Sequence, residues 1–376
     1  NSTYYFKKPI INKEENSLFE SDGLAKLDEK QEQLIQMKIG GHHLIKGIPG
    51  SGKSIAAIAR AVHVIKENPS WRVLILSVNR KLADQNKRSL VDRVNGLKHF
   101  GLKRGSVRCT TLIDFLKDNA KNDYFRTSYQ VMLDSLTKEL LDKKLERTWD
   151  YIIIDEYQDF TSEHFEILKR ACILHKTEIN KKEVETENLF LVGDKLQQLK
   201  ESIGDHPWKE IGINIIGRTT NLKSVYRSSA GILDFSLSYL MNKSKSLRRE
   251  VNTFYEGILD IQKVNKTKEE IQIFSGGYKQ AISRIKSWVE SKVGAGVKHQ
   301  DILIIHHDSK KTNQYLKQEF QFESLNGMRF GMPSTIKGTE AQYVILWQID
   351  RFRMNFDCEV NKSKKIYMSL TRASQG

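Results

Sequence analysis

Gly47–Ser54 reads GIPGSGKS and matches the pattern G-x-x-x-x-G-K-[ST] at every fixed position. His42–Lys46 (HHLIK) before it predicts a short buried strand, and Ser54–Lys66 (SIAAIARAVHVIK) after it predicts a helix. A strand, a glycine-rich turn and a helix start let backbone N–H groups and the positive end of a helix dipole approach a phosphate. These flanks disfavour a chance glycine-rich turn, so the stretch predicts a nucleotide-binding site.

The residues of this loop have separate expected roles. Lys53 is expected to reach the β- and γ-phosphates of the nucleotide, and the Ser54 hydroxyl to bind Mg²⁺. The other candidates for nucleotide binding lie in the same loop and are Gly47, Pro49, Gly50, Ser51 and Gly52.

Length and composition limit the number of domains and the class of protein. The 376 residues suggest two domains, and 39% hydrophobic residues suffice for packed cores. No apolar run approaches the roughly 18 residues of a membrane span, and the start, NSTYYFKKPI, lacks the apolar segment of a signal peptide. Cys109, Cys172 and Cys358 lack metal-ligand spacing, which favours a reducing compartment. We therefore expect a cytoplasmic protein and, because the first residue is Asn rather than Met, a piece of a longer one.

The charge balance favours a polyanionic partner. Lys and Arg number 61 against 46 Asp and Glu, a formal net charge of +15. The simplest polyanion for such a chain is nucleic acid. An AT-rich genome also produces excess lysine, so charge alone does not decide the partner.

The first half of the chain alternates predicted strands and helices. A helix over Leu27–Lys38 is expected to stop at Gly40-Gly41. Further buried strands are predicted at Arg72–Val78, Ser106–Thr110, Tyr151–Asp155 and Leu189–Gly193. Helices are predicted within Asn79–Val94, Leu112–Leu145 and Glu163–Leu174. This alternation is typical of a doubly wound parallel sheet.

The second half repeats the alternation and predicts a second α/β domain. Its strands are predicted at Ile213–Gly217, Ile271–Phe274, Asp301–Ile305, Tyr343–Trp347 and Lys365–Leu370. Its helices are predicted at Gly231–Met241, Lys279–Lys292 and Thr312–Phe320. We therefore expect a lead-in over residues 1–22, a first domain over 23–212 and a second over 213–376, with the boundary near Gly212.

Polar residues follow two of the predicted strands. Asp155 and Glu156, within IIIDEYQD, stand at the carboxyl end of a strand, where parallel sheets bind ligands. Phosphoanhydride hydrolysis needs a carboxylate that holds the metal, a role that fits Asp155, and a group that activates the attacking water, which fits Glu156. Gln197, within GDKLQ, is expected to hydrogen-bond the γ-phosphate or the water.

Two arginines complete the predicted chemistry. Arg227 lies in LKSVYRSS and Arg372 in YMSLTRAS, both in the second predicted domain. A guanidinium at the γ-phosphate stabilises the charge of the transferring group. Each arginine alone would be read as a surface residue, but both together with the acidic and glycine-rich motifs predict a catalytic role.

Taken in order, these motifs resemble a superfamily 1 DNA/RNA helicase of the UvrD/Rep type. The matching segments are LDEKQ, GIPGSGKS, LILSVNRKLA, CTTLIDF, DEYQD, GDKLQQL, LKSVYRSS, STIKGTEAQYVIL and IYMSLTRA. The resemblance implies two tandem RecA-like domains, parallel sheets flanked by helices, with an ATP cleft between them. It implies that Gln31 and Tyr226 contact the adenine, that Gly338 and Glu340 lie near the nucleotide or the interdomain seam, and that Arg372 is the arginine finger.

The same resemblance places a single nucleic-acid strand across both domains. It implies that Asn79, Arg80 and Thr111 contact this strand. Three aromatic residues have two interpretations, namely Phe115, Trp208 and Tyr343. They could stack on bases, but packing in the core is the favoured interpretation.

The chain departs from the family pattern in several places. Gln198 follows Gln197 where an aromatic residue is usual, and Ser334 stands where a His is common. Only the short stretches Asp118–Arg147 and Asn242–Glu270 stand where larger members insert accessory domains. The compact form and the wording NRKLA resemble helicase modules that follow a nuclease-related domain in bacterial and phage-defence proteins.

The sequence thus predicts an enzyme that hydrolyses ATP with Mg²⁺ and moves along single-stranded nucleic acid, DNA favoured over RNA. The alternative is a nucleotide-gated DNA-binding switch, or the ATPase module of a larger nuclease–helicase that does not unwind alone. A P-loop kinase is disfavoured, because it has no use for Arg227 and Arg372 on a second domain.

Overall fold

The computed structural model describes residues 29–95, 107–122, 127–179, 181–198, 206–254, 262–263, 271–306, 314, 316, 318–319, 327–333, 335–349 and 359–375. Their backbone contacts divide the chain into two compact units. The first holds the described parts of Asn1–Gly47, Gly52–Asp194 and Ser202–Leu222. The second holds those of Ile48–Ser51, Lys195–Glu201 and Lys223–Gly376.

The helices and strands of the first unit follow one another in an alternating order. In chain order they are α1 (Glu29–Gln36), β1 (His42–Gly47), α2 (Lys53–Glu67), β2 (Val73–Ser77), α3 (Arg80–Asn95), β3 (Val107–Thr111), α4 (Leu112–Asn119), α5 (Tyr129–Asp142), β4 (Tyr151–Asp155), α6 (Ser162–Ala171), β5 (His175–Ile179), β6 (Lys182–Thr186), β7 (Leu189–Gly193) and β8 (Thr219–Leu222).

The first unit is built on a six-stranded parallel sheet with the order β3-β2-β4-β7-β1-β8. Alternate residues of a strand face opposite sides, so Ile152 and Ile154 of β4 pack with α4, α5 and α6, while Ile153 packs with α2. Strands β2, β4 and β7 are buried throughout, which explains their nearly continuous apolar sequences. Helices therefore cover both faces of the sheet.

Three neighbouring strands of this sheet end at the predicted chemical motifs. Strand β1 runs into the glycine-rich loop, β4 ends at Asp155, and β7 ends at Gly193. Because β4, β7 and β1 are adjacent and parallel, their carboxyl ends share one edge of the sheet. That edge is where parallel sheets bind ligands.

A fully buried arginine fixes α1 against this sheet. Arg60 of α2 is 0% exposed, and its Nε donates to the Tyr151 hydroxyl at 3.0 Å. Its guanidinium also donates to the backbone oxygens of Ile35 and Met37, the latter at 2.7 Å. Carbonyls at a helix end lack partners within the helix, so Arg60 satisfies them and holds the helix that carries Gln31.

The second unit also contains a parallel sheet. Its elements are β9 (Ser224–Val225), α7 (Ala230–Lys243), α8 (Lys245–Phe254), β10 (Gln262–Lys263), α9 (Tyr278–Gly294), β11 (Ile302–Ile305), β12 (Arg329–Gly331), β13 (Tyr343–Leu346) and α10 (Glu359–Leu370). The sheet has the order β12-β11-β13 and is parallel throughout, and β9 pairs with β10.

Helices cover both faces of this sheet as well. Ile302 and Ile304 of β11 pack against α9, whereas Leu303 and Ile305 pack with Ile366 of α10. The predicted fold class, α/β with parallel sheets flanked by helices, is confirmed. Among the described helices, none has the length and apolar character needed to cross a membrane.

The predicted strand at Lys365–Leu370 is wrong. These residues form the last part of α10, which is buried on most of its surface. A short apolar run such as IYMSL fits a buried strand and a buried helix equally well, so periodicity alone could not separate them.

The start of the second domain also differs from the prediction. Ile213–Gly217 is not a strand; the strand is Thr219–Leu222, which pairs in parallel with β1. The first unit therefore reaches Leu222 rather than ending near Gly212. Pairing with β1 depends on long-range contacts that a local pattern does not record.

Two further differences concern local structure. Ile271–Phe274 forms no strand in the described structure, and Ile273 is 80% exposed. The hairpin of β5 and β6 was not predicted, because its strands are short, charged and mostly exposed. Within Leu112–Leu145, which was predicted to be helical, the described residues form α4 and α5.

Several predicted features lie outside the described residues. They are the lead-in over residues 1–22, the start of the first helix before residue 29, most of Thr312–Phe320, Ser334 and Cys358.

Candidate nucleotide site

The glycine-rich loop has the backbone that its glycines require. Gly52 stands at the N-cap of α2 with φ 79°, in the left-handed region that favours glycine. A Cβ added there would lie 2.3 Å from Nε2 of Gln31, so the Gln31 amide packs directly against the loop. The first unit thus brings together two predicted nucleotide contacts that are distant in sequence.

Lys53 is held at the start of α2. Its side chain is buried, with the residue 8% exposed, and its Nζ donates to the Gly47 backbone oxygen at 2.8 Å. No acidic residue occupies the first turn of α2. The helix start therefore combines a positive dipole end with a buried ammonium group, an arrangement that favours an anionic ligand.

Asp155 lies at the end of β4 and is completely buried. Its Oδ2 accepts a hydrogen bond from Nδ2 of Asn86 at 3.1 Å, and Asn86 also donates to Ser77. Burial and the charge of Glu156 raise the pKa of Asp155 to about 6, against the opposing effects of Asn86, the Ser54 hydroxyl and Lys53. The ionised form of Asp155 is therefore disfavoured relative to the protonated form at this position.

These surroundings fit a divalent cation. Oδ1 of Asp155 is buried and has no hydrogen-bond partner among the described residues. A carboxylate and a hydroxyl, Asp155 and Ser54, are the oxygen ligands that Mg²⁺ uses together with substrate phosphates. No group of three or more His, Cys, Asp or Glu side chains that could hold a metal occurs in the described ranges.

Replacing Asp155 with asparagine is expected to stabilise the protein free of nucleotide and magnesium. Because the pKa of Asp155 is raised to about 6 from 3.8, the folded protein binds its proton more tightly. The free energy of unfolding then falls as pH rises between about 4 and 6, and stays low above that window. We expect Asp155→Asn to gain about 1–3 kcal/mol at pH 7.5 and nothing near pH 4, measured by thermal unfolding.

The matched control is Asp134→Asn on the exposed face of α5. This variant should unfold at the wild-type temperature both at pH 7.5 and near pH 4. A lower melting temperature for Asp155→Asn at pH 7.5 would contradict the argument.

Glu156 adopts a strained backbone at the same edge. Its φ is 62°, in the left-handed region that non-glycine residues rarely adopt. Strain of this kind persists where surrounding contacts enforce it and is common at functional sites. Glu156 is buried, with the residue 7% exposed, and its carboxylate accepts a hydrogen bond from Nε2 of Gln158.

Gln158 is a site residue that the sequence argument did not assign. It is 1% exposed, and its Oε1 accepts a hydrogen bond from the Asp194 backbone N–H at 3.1 Å. Its position inside DEYQD was the available signal, but that motif was interpreted only through its first two acidic residues.

The second unit brings Gln197 and Arg372 together. The Arg372 guanidinium donates to Oε1 of Gln197 at 2.7 Å and to the Met368 backbone oxygen at 3.0 Å. Nζ of Lys337 donates to the Gln197 backbone oxygen at 3.3 Å. Lys337 was not assigned from the sequence, although it stands in STIKGTEAQ beside Gly338.

Arg227 and Glu340 also meet in this unit. The Arg227 guanidinium forms an ion pair with the Glu340 carboxylate, and Arg329 donates to the Glu340 backbone oxygen. Tyr226 is half-buried, and its backbone N–H donates to Gly50 at 3.0 Å. Gly338 has φ 82°, which places the turn before Glu340 in the left-handed region.

The candidates for nucleic-acid contact take two forms. The Arg80 side chain is 78% exposed, at the start of α3. Asn79 and Thr111 cap helices: Oδ1 of Asn79 accepts from Leu82 N at 2.9 Å, and Oγ1 of Thr111 accepts from Asp114 N at 3.1 Å. Thr111 is 3% exposed, so capping α4 is its role in this structure.

The aromatic candidates pack in the core. Phe115 is 2% exposed and Tyr343 is 4% exposed. Trp208 lies in an aromatic cluster, with ring centroids 5.7 Å from Tyr157 and 5.5 Å from Phe165. Of the two interpretations left open by the sequence, core packing is the one that these residues show.

Comparison with known proteins bears on the resemblance to helicases. Residues 31–202 match the family described as AAA domain. The chain is 23% identical over 240 residues to a probable DNA helicase II homologue of Mycoplasma capricolum subsp. capricolum. That alignment covers 60% of this chain and 29% of the relative, so the chain spans well under half of the relative's length. The predicted resemblance to UvrD/Rep-type helicases is confirmed.

A solved structure aligns over most of the chain. It comes from work on DNA unwinding at forked double-stranded DNA by two coordinating Pif1 helicases. The alignment covers 93% of this chain and 90% of that one, with 8% identity and a TM-score of 0.45.

Proposed function

We propose that this chain is an ATP-dependent helicase or translocase that hydrolyses ATP to move along single-stranded DNA. One observation carries the proposal: β4, β7 and β1 are adjacent and end at DEYQD, at GDKLQ and at the glycine-rich loop. A metal-holding carboxylate, a water-activating carboxylate and a phosphate-binding loop then share one edge of one sheet, which is the set that phosphoryl transfer requires.

The first unit supplies binding and water activation. The loop from Gly47 to Ser54 binds the phosphates, and Lys53 neutralises charge on the β- and γ-phosphates. Asp155 and Ser54 would hold Mg²⁺, and a bound Mg²⁺ would neutralise phosphate charge. Glu156 takes a proton from the attacking water, while Gln31 contacts the adenine.

The second unit supplies charge stabilisation. Arg227 and Arg372 stabilise the γ-phosphate in the transition state, and Gln197 contacts the γ-phosphate or the water. In this structure the Arg227 guanidinium pairs with the Glu340 carboxylate, and the Arg372 guanidinium donates to Oε1 of Gln197. A bound γ-phosphate would compete for both guanidinium groups. Tyr226, Gly338 and Glu340 are proposed to line the nucleotide.

The nucleic-acid partner follows from charge and from the resemblance. A net charge of +15 favours a polyanion, and the Arg80 side chain is exposed at the start of α3, shortly after β2 ends. Asn79 and Thr111 stay candidates for contact with the nucleic-acid strand, as the resemblance implies. The cytoplasmic location, the nuclease partner and a role in antiviral defence stay predictions.

A nucleotide-gated switch is the second candidate. Between β3 and β4 the described chain holds only α4 and α5, where a large helicase would insert an accessory domain. A motor with so little additional structure could bind DNA in an ATP-dependent way without separating strands.

The deciding measurement is steady-state ATP hydrolysis with and without single-stranded DNA. A motor should be stimulated at least about tenfold, since DNA binding completes its catalytic arrangement. A Lys53→Ala preparation provides the blank for contaminating ATPases, and an RNA strand of the same sequence tests DNA preference. ATP binding without stimulation would contradict the motor and favour the switch.

A further inference from the structure

The Gln158 side chain uses both ends of its amide inside the first unit. Its Nε2 donates to Oε2 of Glu156, and its Oε1 accepts the backbone N–H of Asp194 at 3.1 Å. The residue is 1% exposed. One neutral side chain thus connects the carboxylate that follows β4 to the backbone that follows β7.

The surrounding backbone leaves this amide little freedom. A Cβ added at Gly193 would lie 2.1 Å from Oε1 of Gln158 and 2.6 Å from the Tyr157 ring, so only glycine admits the contact. The left-handed Glu156 starts a 3-10 turn over Tyr157–Asp159, closed by a hydrogen bond from Asp159 N to Glu156 O at 3.1 Å. This turn brings Gln158 back toward the residue two positions before it.

The chemistry at Glu156 depends on orientation. A base must lie within hydrogen-bond reach of the water whose proton it takes, and small misplacements are costly. During hydrolysis the water oxygen bonds to the γ-phosphorus, its proton passes to Glu156, and the bond from phosphorus to the leaving ADP oxygen breaks. The hydrogen bond from Nε2 of Gln158 to Oε2 of Glu156 fixes how this carboxylate lies at the end of β4.

We propose that Gln158 is a positioning residue that orients Glu156 for water activation and ties it to the backbone of Asp194. Asp194 directly precedes Lys195–Gln197, the turn that carries the γ-phosphate candidate Gln197. The amide therefore links the water-activating carboxylate to the segment that is proposed to contact the phosphate. This inference rests on the proposed ATP hydrolysis.

Two substitutions remove the hydrogen bond that the Gln158 amide donates to Glu156. Gln158→Glu keeps an acceptor for Asp194 N but loses the donor to Glu156, whereas Gln158→Met keeps the length and loses both. Both should lower kcat for ATP about 10- to 100-fold, the usual effect of losing a partner that orients a reacting group. KM and the equilibrium affinity for ATP should stay within about threefold, because Gln158 acts only on the water-activating step.

A double-mutant cycle provides the readout that a merely structural role would not move. In a Glu156→Gln background, adding Gln158→Met should cost less than about twofold more in single-turnover hydrolysis, since the residue it orients is already gone. The matched control is Gln130→Leu on the exposed start of α5, which should match wild type. Melting temperatures of all variants show whether a loss reflects unfolding.

The outcomes distinguish the inference from the proposed function. Wild-type kcat in both Gln158 variants, or the full loss again in the Glu156→Gln background, overturns the positioning role while leaving ATP hydrolysis intact. A parallel loss of ATP affinity also overturns it. Wild-type protein that turns over ATP no faster than Lys53→Ala overturns the proposed function and this inference together.

Discussion

Replacing Lys53 with alanine is expected to lower ATP turnover by about 10³-fold, because it removes the buried positive charge at the start of α2. Lys53 is 8% exposed and its Nζ donates to the Gly47 backbone oxygen at 2.8 Å, so the ammonium group is held at the start of α2. A preorganised charge stabilises negative charge that develops on the phosphates without having to rearrange. Turnover at saturating ATP, measured by phosphate release, checks the prediction.

The control for Lys53 is Lys66→Ala in the last turn of the same helix. This variant removes an equal charge from α2 but lies far from the loop in sequence, and it should turn over ATP at the wild-type rate. Normal turnover by Lys53→Ala would remove the glycine-rich loop from the active site.

Replacing Arg372 with alanine is expected to lower kcat by about 10³-fold or more, the effect typical of an arginine that stabilises a transferring phosphoryl group. Arg372 is 3% exposed and is held by Gln197 at 2.7 Å and by the Met368 backbone oxygen at 3.0 Å. Affinity for ATP should change much less than kcat, because the arginine acts mainly in the transition state. Single-turnover hydrolysis and equilibrium nucleotide binding together check this split.

The loss of a buried arginine also affects folding, so Arg372→Ala is compared with two further variants. Arg372→Lys retains a charge but not the planar fork of donors, and it should keep the fold while remaining strongly impaired. Arg284→Ala removes an exposed arginine of α9 and should behave as wild type. Wild-type kinetics in Arg372→Ala would place this residue outside the active site.

The Asp155→Asn variant provides a separate test of the site at the carboxyl ends of β4, β7 and β1. A carboxylate whose pKa is raised to about 6 by burial and by Glu156 is retained at a cost to stability. Proteins accept such costs where function requires the group, so a stabilised but inactive Asp155→Asn would support the metal-holding role.

Much of the first unit follows from local sequence. The strands β1, β2, β4 and β7 are short apolar runs between clear turn signals, and each was predicted within one or two residues. Their parallel arrangement follows from alternation with helices, since parallel neighbours need crossover connections. The same pattern places Gly47, Asp155 and Gly193 at strand ends, so the candidate site can be predicted from local sequence.

Other features depended on contacts that sequence patterns do not record. The apolar run IYMSL is buried on most sides and suits a helix as well as a strand. In the structure it is part of α10 and packs against β11. The strand Thr219–Leu222 exists because β1 offers an edge for pairing. Ile271–Phe274, with equally suitable residues, pairs with no strand in the described structure.

The sequence by itself determined the α/β class, the loop at Gly47–Ser54 and the residue types of the candidate site, because each depends on a local pattern with a fixed spacing. Only the tertiary structure decided the sheet order, the helix at Glu359–Leu370 and the partners of the buried polar groups. Gln158 shows the physical reason. Its amide joins Glu156 to Asp194, 36 positions further along the chain from Gln158, and that contact exists only once β4 and β7 lie side by side.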